Sequence, residues 1–289
     1  NMEKIFRMSE DNKELLKCPT QAIGLIEIPE GIETIKCNAF ENCCDIESVV
    51  IPSSVKKIEE NAFKGCINLK TISIPDSVNI IPAGCFNGCI ELTKVELPST
   101  ITKISNDAFS NCCNLIDILI SDVVTEIGSS AFHNCSNLCK IQIPDSVIEI
   151  GPSAFEGCRS LESINLSQKI KYINCNTFRG CELLNKIWIP KNVAIIGSEA
   201  FGGCENMSIV AIQSNHIKID PTAFLQCSNI YRLYLANNNP NVVISSFGDS
   251  VAIKIISPIS DYDRIKSSAS TSAEDLYKTH ATNLKYMAL

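Results

Sequence analysis

The sequence predicts a β-solenoid of about ten coils with 23 residues each, and three observations support this prediction. Ten of the 11 Phe residues recur at intervals of 23 residues. Nine of these ten have Cys three positions later, and all ten have Ile, Leu or Met six positions later. A repeat that keeps its phase over so much of a chain is typical of stacked coils that share one core.

The recurring Phe and Cys side chains form the predicted core ladder. Its central Phe positions are Phe63, Phe86, Phe109, Phe132, Phe155, Phe178 and Phe201. Its central Cys positions are Cys66, Cys89, Cys112, Cys135, Cys158, Cys181 and Cys204. Because neighbouring parallel strands lie about 4.8 Å apart, ten coils would form a curved rod about 50 Å long.

Each coil carries the signals of one short strand and one tight turn. Apolar residues alternate with variable ones nine to eleven positions after Phe, as in residues 72–74, which is typical of a half-buried strand. Pro75 then ends that strand. A second apolar pair, such as Val55 and Ile58, leads the chain back toward the next Phe. One position before Cys, the first eight repeats carry only Gly or Asn, which predicts left-handed backbone there.

Caps are expected at both ends, because a solenoid must cover the open faces of its core. Residues 1–24 form the predicted N-terminal cap, in which residues 4–17 have the pattern of a hairpin. Residues 25–256 form the predicted solenoid. Residues 257–289 form the predicted C-terminal cap, with a short helix that begins at Ser272.

Composition excludes several classes of function. The chain has 289 residues, is 45% hydrophobic and carries a formal net charge of −7. This acidic balance argues against nucleic acid and anionic membranes as partners, because both require basic surfaces. No apolar run reaches about 18 residues, so we expect no membrane-spanning helix. Residues 1–10 are charged and lack the apolar segment of a signal peptide.

The motif C-x-x-L-x-x-I-x-I-P followed by V-x-x-I-x-x-x-A-F resembles the BspA-like, or Treponema-type, leucine-rich repeats. Its residues in one coil are Cys66, Leu69, Ile72, Ile74, Pro75, Val78, Ile81 and Phe86. The resemblance covers about residues 25–256 and weakens near the C-terminal end, where Gln213 replaces Pro. It implies a right-handed horseshoe, with a parallel sheet on the concave side and short turns or 3-10 segments on the convex side. It also implies a surface or secreted location, adhesion or host-protein binding, and no catalytic residue.

Sixteen Cys residues allow either a disulfide framework or a ladder of buried thiols. We expect reduced thiols at the nine ladder positions, because Cβ atoms that point in parallel toward the core are poorly placed for a disulfide. Cys18 and Cys37 are the one other pair that could form a disulfide. Zinc is not expected, since there is no C-x-x-C motif and only His133, near Cys135, lies close to a Cys. The same two residues do not suit a Cys–His nucleophile, because His133 would lie on a turn while Cys135 points inward.

Side chains eight and ten positions after each Phe are predicted to point away from the core, toward solvent on the concave face. Most are small or polar, but the seventh to ninth coils carry aromatic and cationic side chains there. The resulting candidate binding patch consists of Lys186, Trp188, Ala211, Arg232 and Tyr234. Aromatic and cationic residues dominate binding hot spots. The alternative is that Trp188, the only Trp, folds over the small Ala211 and packs against Tyr234.

We therefore expect a non-enzymatic binding module, displayed on a cell surface or secreted, that holds a protein or glycan on its concave β-face. The alternative is an intracellular scaffold, which the many thiols and the missing signal peptide favour. No catalytic residue, metal or cofactor is predicted, because repeated coils offer a shallow surface with scattered charges. We expect the protein to be a monomer.

Overall fold

The computed structural model describes residues 6–236, 242, 244–247, 250 and 253–256. Over these residues the chain is a solenoid of parallel strands, which confirms the predicted fold class. Coils are numbered here from the Phe that begins them, so that coil 1 begins at Phe40. Strands of successive coils pair with a shift of 23 residues, as in Thr71 opposite Lys94. One coil of the solenoid therefore contains one 23-residue repeat of the sequence.

Two walls of strands run along the solenoid, and strands are numbered in chain order. Wall I contains β3 (Gly24–Glu27), β5 (Ile46–Val50), β7 (Thr71–Ser73), β9 (Lys94–Glu96), β11 (Asp117–Ile118), β13 (Lys140–Ile141), β16 (Lys186–Ile189), β18 (Ile209–Ile212), β20 (Arg232–Leu235) and β21 (Lys254–Ile256). Wall II contains β4 (Thr34–Ile35), β6 (Lys57–Ile58), β8 (Ile80–Ile81), β10 (Lys103–Ile104), β12 (Glu126–Ile127), β14 (Glu149–Ile150), β15 (Tyr172–Ile173), β17 (Ile195–Ile196) and β19 (Lys218–Ile219).

Wall II is a feature that the sequence analysis did not predict. The expected short turns are present, as at residues 60–65, but each return segment also forms a two-residue strand that pairs in parallel with at least one neighbouring strand. Among the described residues, the single 3-10 helix is Ile244–Ser246. In each of these strands the second residue is buried, as at Ile58 and Ile104, so both walls contribute side chains to one core.

The N-terminal end is closed by two strands and one ring. β1 (Arg7–Met8) pairs antiparallel with β2 (Glu14–Lys17), and β2 continues wall II by pairing in parallel with β4. The ring of Phe6, outside the 23-residue repeat, meets the ring of Phe40 edge to face, with 6.2 Å between their centroids. The division into caps and solenoid stays a prediction. The predicted C-terminal cap and its helix lie outside the described residues.

The repeat Phe residues lie at the centre of the core. All ten repeat Phe residues, from Phe40 to Phe247, are fully buried. Their rings stack in one continuous column, with neighbouring centroids 4.8 to 5.5 Å apart. Burying one Phe side chain contributes about 1.5–3 kcal/mol to stability, so the column supplies a large part of the folding free energy.

The Cys ladder has a role that the sequence analysis did not predict. From Cys66 to Cys227, each ladder thiol donates a hydrogen bond to the carbonyl of the Phe that begins the preceding coil. Cys89 Sγ, for example, lies 3.1 Å from Phe63 O. The same carbonyl accepts the backbone N–H of its own coil's Cys, as Phe63 O does from Cys66 N at 3.2 Å. Both lone pairs of each such carbonyl are therefore used, and the thiol ties one coil to the next.

All sixteen Cys residues are free thiols. Cys18 and Cys37 are not joined, and the neighbouring Cys43 thiol donates a hydrogen bond to the backbone carbonyl of Pro19 at 3.6 Å. Burial raises the pKa of ladder thiols such as Cys112 well above its ordinary value. Since the thiolate is the reactive form, these thiols are chemically inert.

The predicted left-handed turn is also confirmed. At the position before Cys, the first eight repeats have φ between 56° and 76°, as at Asn134 and Gly88. A second left-handed position, two residues before Phe, was not predicted; it is occupied by residues such as Asn61 and Ser153. Backbone N–H groups of the turn donate to the next coil, as Phe40 N does to Ala62 O at 2.7 Å.

Candidate functional site

The structure brings the five residues of the candidate patch together on the outer face of wall I. Trp188 lies opposite Ala211, which lies opposite Tyr234. Lys186 and Arg232 lie in the neighbouring row, on either side of Ile209. The 23-residue register places these side chains side by side on β16, β18 and β20, as the sequence predicts.

The expectation that these side chains face solvent is wrong for four of the five, and Lys186 is partly buried. Trp188 is 6% exposed, Arg232 is 7% exposed, and Ala211 and Tyr234 are each 1% exposed. The physical reason is the size of the side chains in this row, because the small Ala211 lies between the large Trp188 and Tyr234. Together with Ile209, these three side chains form an apolar cluster separate from the main core. The structure therefore agrees with the alternative, in which Trp188 packs over Ala211. Whether these residues bind a partner stays a prediction.

Polar groups at the edge of this cluster are held close to aromatic rings. Lys186 Nζ lies 5.9 Å from the centroid of the Trp188 ring, within the range of a cation–π interaction. Burial lowers the pKa of Lys186. Among the described residues, the buried Nε1 of Trp188 has no hydrogen-bond partner, and an unpaired buried N–H costs about 1–3 kcal/mol. A carbonyl or carboxylate oxygen placed there would relieve that cost.

Between β3 and coil 6, the outer face of wall I is exposed rather than buried. The alternating side chains are exposed there, from Glu27 to Asn165, and most are polar. Three apolar side chains interrupt this polar face: Leu25 is 55% exposed, Val50 51% and Leu119 78%. The sequence analysis did not single them out. Their signal is an apolar residue at an outward position, where strand alternation predicts a polar one.

A groove of about 940 Å³ lies on wall II. Lys57, Glu59, Lys103 and Glu126 are among its lining residues. Lys103 Nζ and Glu126 Oε1 are 2.7 Å apart. Partial burial opposes the ionisation of Glu59, but hydrogen bonds from Lys57, Lys36 and Cys37 outweigh it and lower the pKa of Glu59 to about 2. These four charges are thus paired, Lys57 with Glu59 and Lys103 with Glu126, rather than available to a ligand.

The family of the chain follows from its repeats. The model of the BspA type leucine rich repeat region matches residues 19–138, 102–231 and 148–276, which together span most of the chain. The chain belongs to this family. Leucine-rich repeat proteins of this kind are generally protein-interaction modules and are typically non-enzymatic.

Solved structures of other leucine-rich repeat proteins resemble this one. A leucine-rich repeat protein from Bacteroides ovatus is 26% identical, with a TM-score of 0.66 over 88% of this chain and 75% of that chain. A leucine-rich repeat protein from T. pallidum is also 26% identical, with a TM-score of 0.53 over 71% of this chain and 88% of that chain. No curated protein matches the chain. Among the described residues, no helix has the length and apolarity needed to cross a membrane.

Proposed function

We propose that this BspA-type repeat protein is a non-enzymatic binding module that holds a protein or glycan on the outer face of wall I, taken as the concave face. The observation that supports this most directly is the exposed stretch from β3 to coil 6. It is polar but carries the exposed apolar side chains Leu25, Val50 and Leu119. Apolar side chains within a polar surface are typical of interaction sites.

The Lys186, Trp188, Ala211, Arg232 and Tyr234 patch is a second proposed contact region. Four of these side chains are buried and Lys186 is partly buried, so a partner reaches them only after a local rearrangement of this face. The Nε1 of Trp188, which has no hydrogen-bond partner among the described residues, favours such a rearrangement, since a partner that offers an oxygen acceptor there gains a hydrogen bond.

The binding proposal is tested with arrays of purified extracellular proteins and of glycans, followed by two matched variants of the chain. Leu119→Arg places a charge on the outer face of wall I. Ile148→Arg places the same charge at another exposed position, 57% exposed and next to wall II. We expect Leu119→Arg to weaken capture of the array hit at least tenfold and Ile148→Arg to leave it unchanged. Equal binding by both variants would exclude this part of wall I.

We further propose a cell-surface or secreted location and a role in adhesion, supported by the family that the chain belongs to. An intracellular scaffold is the second candidate, favoured by the sixteen free thiols, because oxidising compartments convert exposed thiols to disulfides. Labelling of intact cells with a membrane-impermeant reagent separates the two. Labelled protein supports the surface location, and protein that is labelled only after lysis supports the scaffold. Light scattering tests the expected monomer.

A further inference from the structure

Over the described residues, the ladder of wall II is interrupted at two places. One sheet ends at β6, the next runs from β8 to β14, and a third runs from β15 to β19. The groove of about 940 Å³ lies at the first interruption, and a smaller pocket of about 450 Å³ lies at the second, between β14 and β15. The side-chain amide of Asn174 spans the second interruption by donating a hydrogen bond to Ile150 O at 2.6 Å. Both openings therefore lie where neighbouring strands do not pair.

The lysines of the β14–β15 pocket have no ionic partner. Lys169 and Lys171 line the pocket and are exposed. Among the described residues, neither ammonium group has a carboxylate within 4.0 Å. Lys56 occupies the position of Lys171 five repeats earlier, lines the first groove, and lies 3.0 Å from Glu33. The pocket therefore presents positive charge to a ligand, whereas the matching lysine of the first groove is already neutralised.

An exposed aromatic ring and a carboxylate line the same pocket. Tyr172 is the outward residue of β15 and is 52% exposed. Glu149 is the outward residue of β14, on the other side of the interruption, and is also exposed. A ring of this kind offers an apolar face, the two ammonium groups donate hydrogen bonds to an anion, and the carboxylate accepts hydrogen bonds from hydroxyl groups. One pocket thus combines contacts for an apolar face, an anion and hydroxyl groups.

We propose that the β14–β15 pocket binds a carboxylated sugar of a glycan, a uronic acid or a sialic acid. The sugar carboxylate pairs with Lys169 and Lys171 through charge-assisted hydrogen bonds. One apolar face of the sugar ring packs on Tyr172, and Glu149 accepts hydrogen bonds from the hydroxyl groups. The volume of about 450 Å³ lies within the range of small-ligand sites, about 300–1,000 Å³.

The mixed charge of the pocket distinguishes this ligand from two others. An acidic peptide would bring several carboxylates close to Glu149, and like charges repel each other. A neutral sugar would leave Lys169 and Lys171 without an anion. A ligand with many hydroxyl groups and one carboxylate per ring satisfies both kinds of charged side chain.

The pocket is separate from the exposed face of wall I, so the two binding proposals can fail independently. Ile148, the control position for binding to wall I, also lines this pocket. A glycan whose capture responds to Ile148→Arg and not to Leu119→Arg is therefore held on wall II. A ligand with the reverse response is held on wall I.

The test is isothermal titration of the full chain with two pairs of soluble oligosaccharides. Hyaluronan tetrasaccharide, which carries glucuronic acid, is compared with the neutral chitotetraose, and sialyllactose is compared with the neutral lactose. We expect one acidic member to bind about tenfold more tightly than its neutral counterpart, or better, and the pair that shows this identifies the source of the carboxylate. Equal affinities within both pairs, or no binding of either acidic sugar, would overturn the inference.

Matched variants assign the binding to this pocket. Lys171→Gln removes one pocket cation, and Lys56→Gln removes the lysine at the same place in coil 1. We expect Lys171→Gln to weaken binding of the acidic sugar about fivefold, Tyr172→Ser to weaken it as well, and Lys56→Gln to leave it unchanged. All three side chains are exposed, so the circular dichroism spectrum should stay that of the wild type. Equal binding by the two Gln variants, or tighter binding of a hexaglutamate peptide than of either acidic sugar, contradicts the assignment.

Discussion

Replacing Phe132 by Ala tests the ladder in its middle. The Phe132 ring is fully buried, and its centroid lies 5.3 Å from that of Phe109 and 5.4 Å from that of Phe155. The change removes one ring from a continuous stack and leaves a cavity between two coils. We expect the free energy of unfolding to fall by about 3–5 kcal/mol. Unfolding in guanidinium, followed by far-ultraviolet circular dichroism, measures the loss.

Phe6→Ala is the matched control at the end of the same stack. The Phe6 ring has one ring neighbour, Phe40, in edge-to-face contact, and is 8% exposed. In a solenoid each coil is stabilised by its neighbours, so a central defect divides the array whereas a terminal one only frays its end. We expect Phe6→Ala to cost clearly less than Phe132→Ala. A loss below about 1 kcal/mol at Phe132, within the range of ordinary substitutions, or equal losses at both positions, would refute the shared-core reasoning.

Three further predictions follow from the turns, the thiols and wall II. Eleven Cys residues are buried and five are exposed or partly exposed. A thiol reagent should therefore react quickly with five thiols in the native protein and with all sixteen in denaturant. Rapid reaction of the buried ladder thiols in the native protein would contradict this prediction. Gly88 and Gly157 both have left-handed backbone, with φ of +76° and +74°. A Cβ added at Gly88 would lie 3.8 Å from its nearest neighbour, whereas a Cβ added at Gly157 would lie 2.4 Å from the side-chain oxygen of Asn134. Gly88→Ala should therefore cost about 1–2 kcal/mol from the backbone alone, and Gly157→Ala should cost more, as urea unfolding measures. The pKa of Glu59 is about 2 in the folded protein against an ordinary 4.5, so its stabilisation is complete above pH 4.5 and is lost as the pH falls toward 2. Glu59→Gln should make Tm less dependent on pH in that interval, and an unchanged pH dependence would count against the assigned hydrogen bonds.

The regular parts of the fold could be predicted because each depends on one strongly restricted position. Phe recurs without exception at the core position, and the turn before Cys accepts only Gly or Asn in the first eight repeats. The second left-handed position is occupied by residues as different as Ser130 and Glu199, so composition does not reveal it. Wall II escaped prediction for a similar reason. A two-residue strand such as Lys57–Ile58 has one buried side chain, which is too few to show alternation.

At the candidate site, the sequence predicts the arrangement of the side chains but not their burial. Strand alternation and the 23-residue register correctly predict that Trp188, Ala211 and Tyr234 form one row on the outer face of wall I. Alternation gives the direction of a side chain but carries no information about what lies on top of it. The burial of this row depends on how residues from four different strands pack together, with Ile209 and Ile256 against Trp188, Ala211 and Tyr234, and no local pattern near Trp188 contains that information.

Coil stacking and recognition use different atoms in the first six coils. The bonds that hold coils together run through the turn backbone and through the thiol-to-carbonyl ladder, as from Cys89 to Phe63. Outward apolar side chains such as Val50 and Leu119 take no part in them, so substitutions there change the binding surface and leave the stack intact. In coils 7 to 9 the outward residues Ile209 and Tyr234 are themselves packed in a cluster, and substitutions there alter packing as well as surface. A ligand site that can diversify without loss of stability is therefore best placed on the first six coils, which carry the proposed binding face.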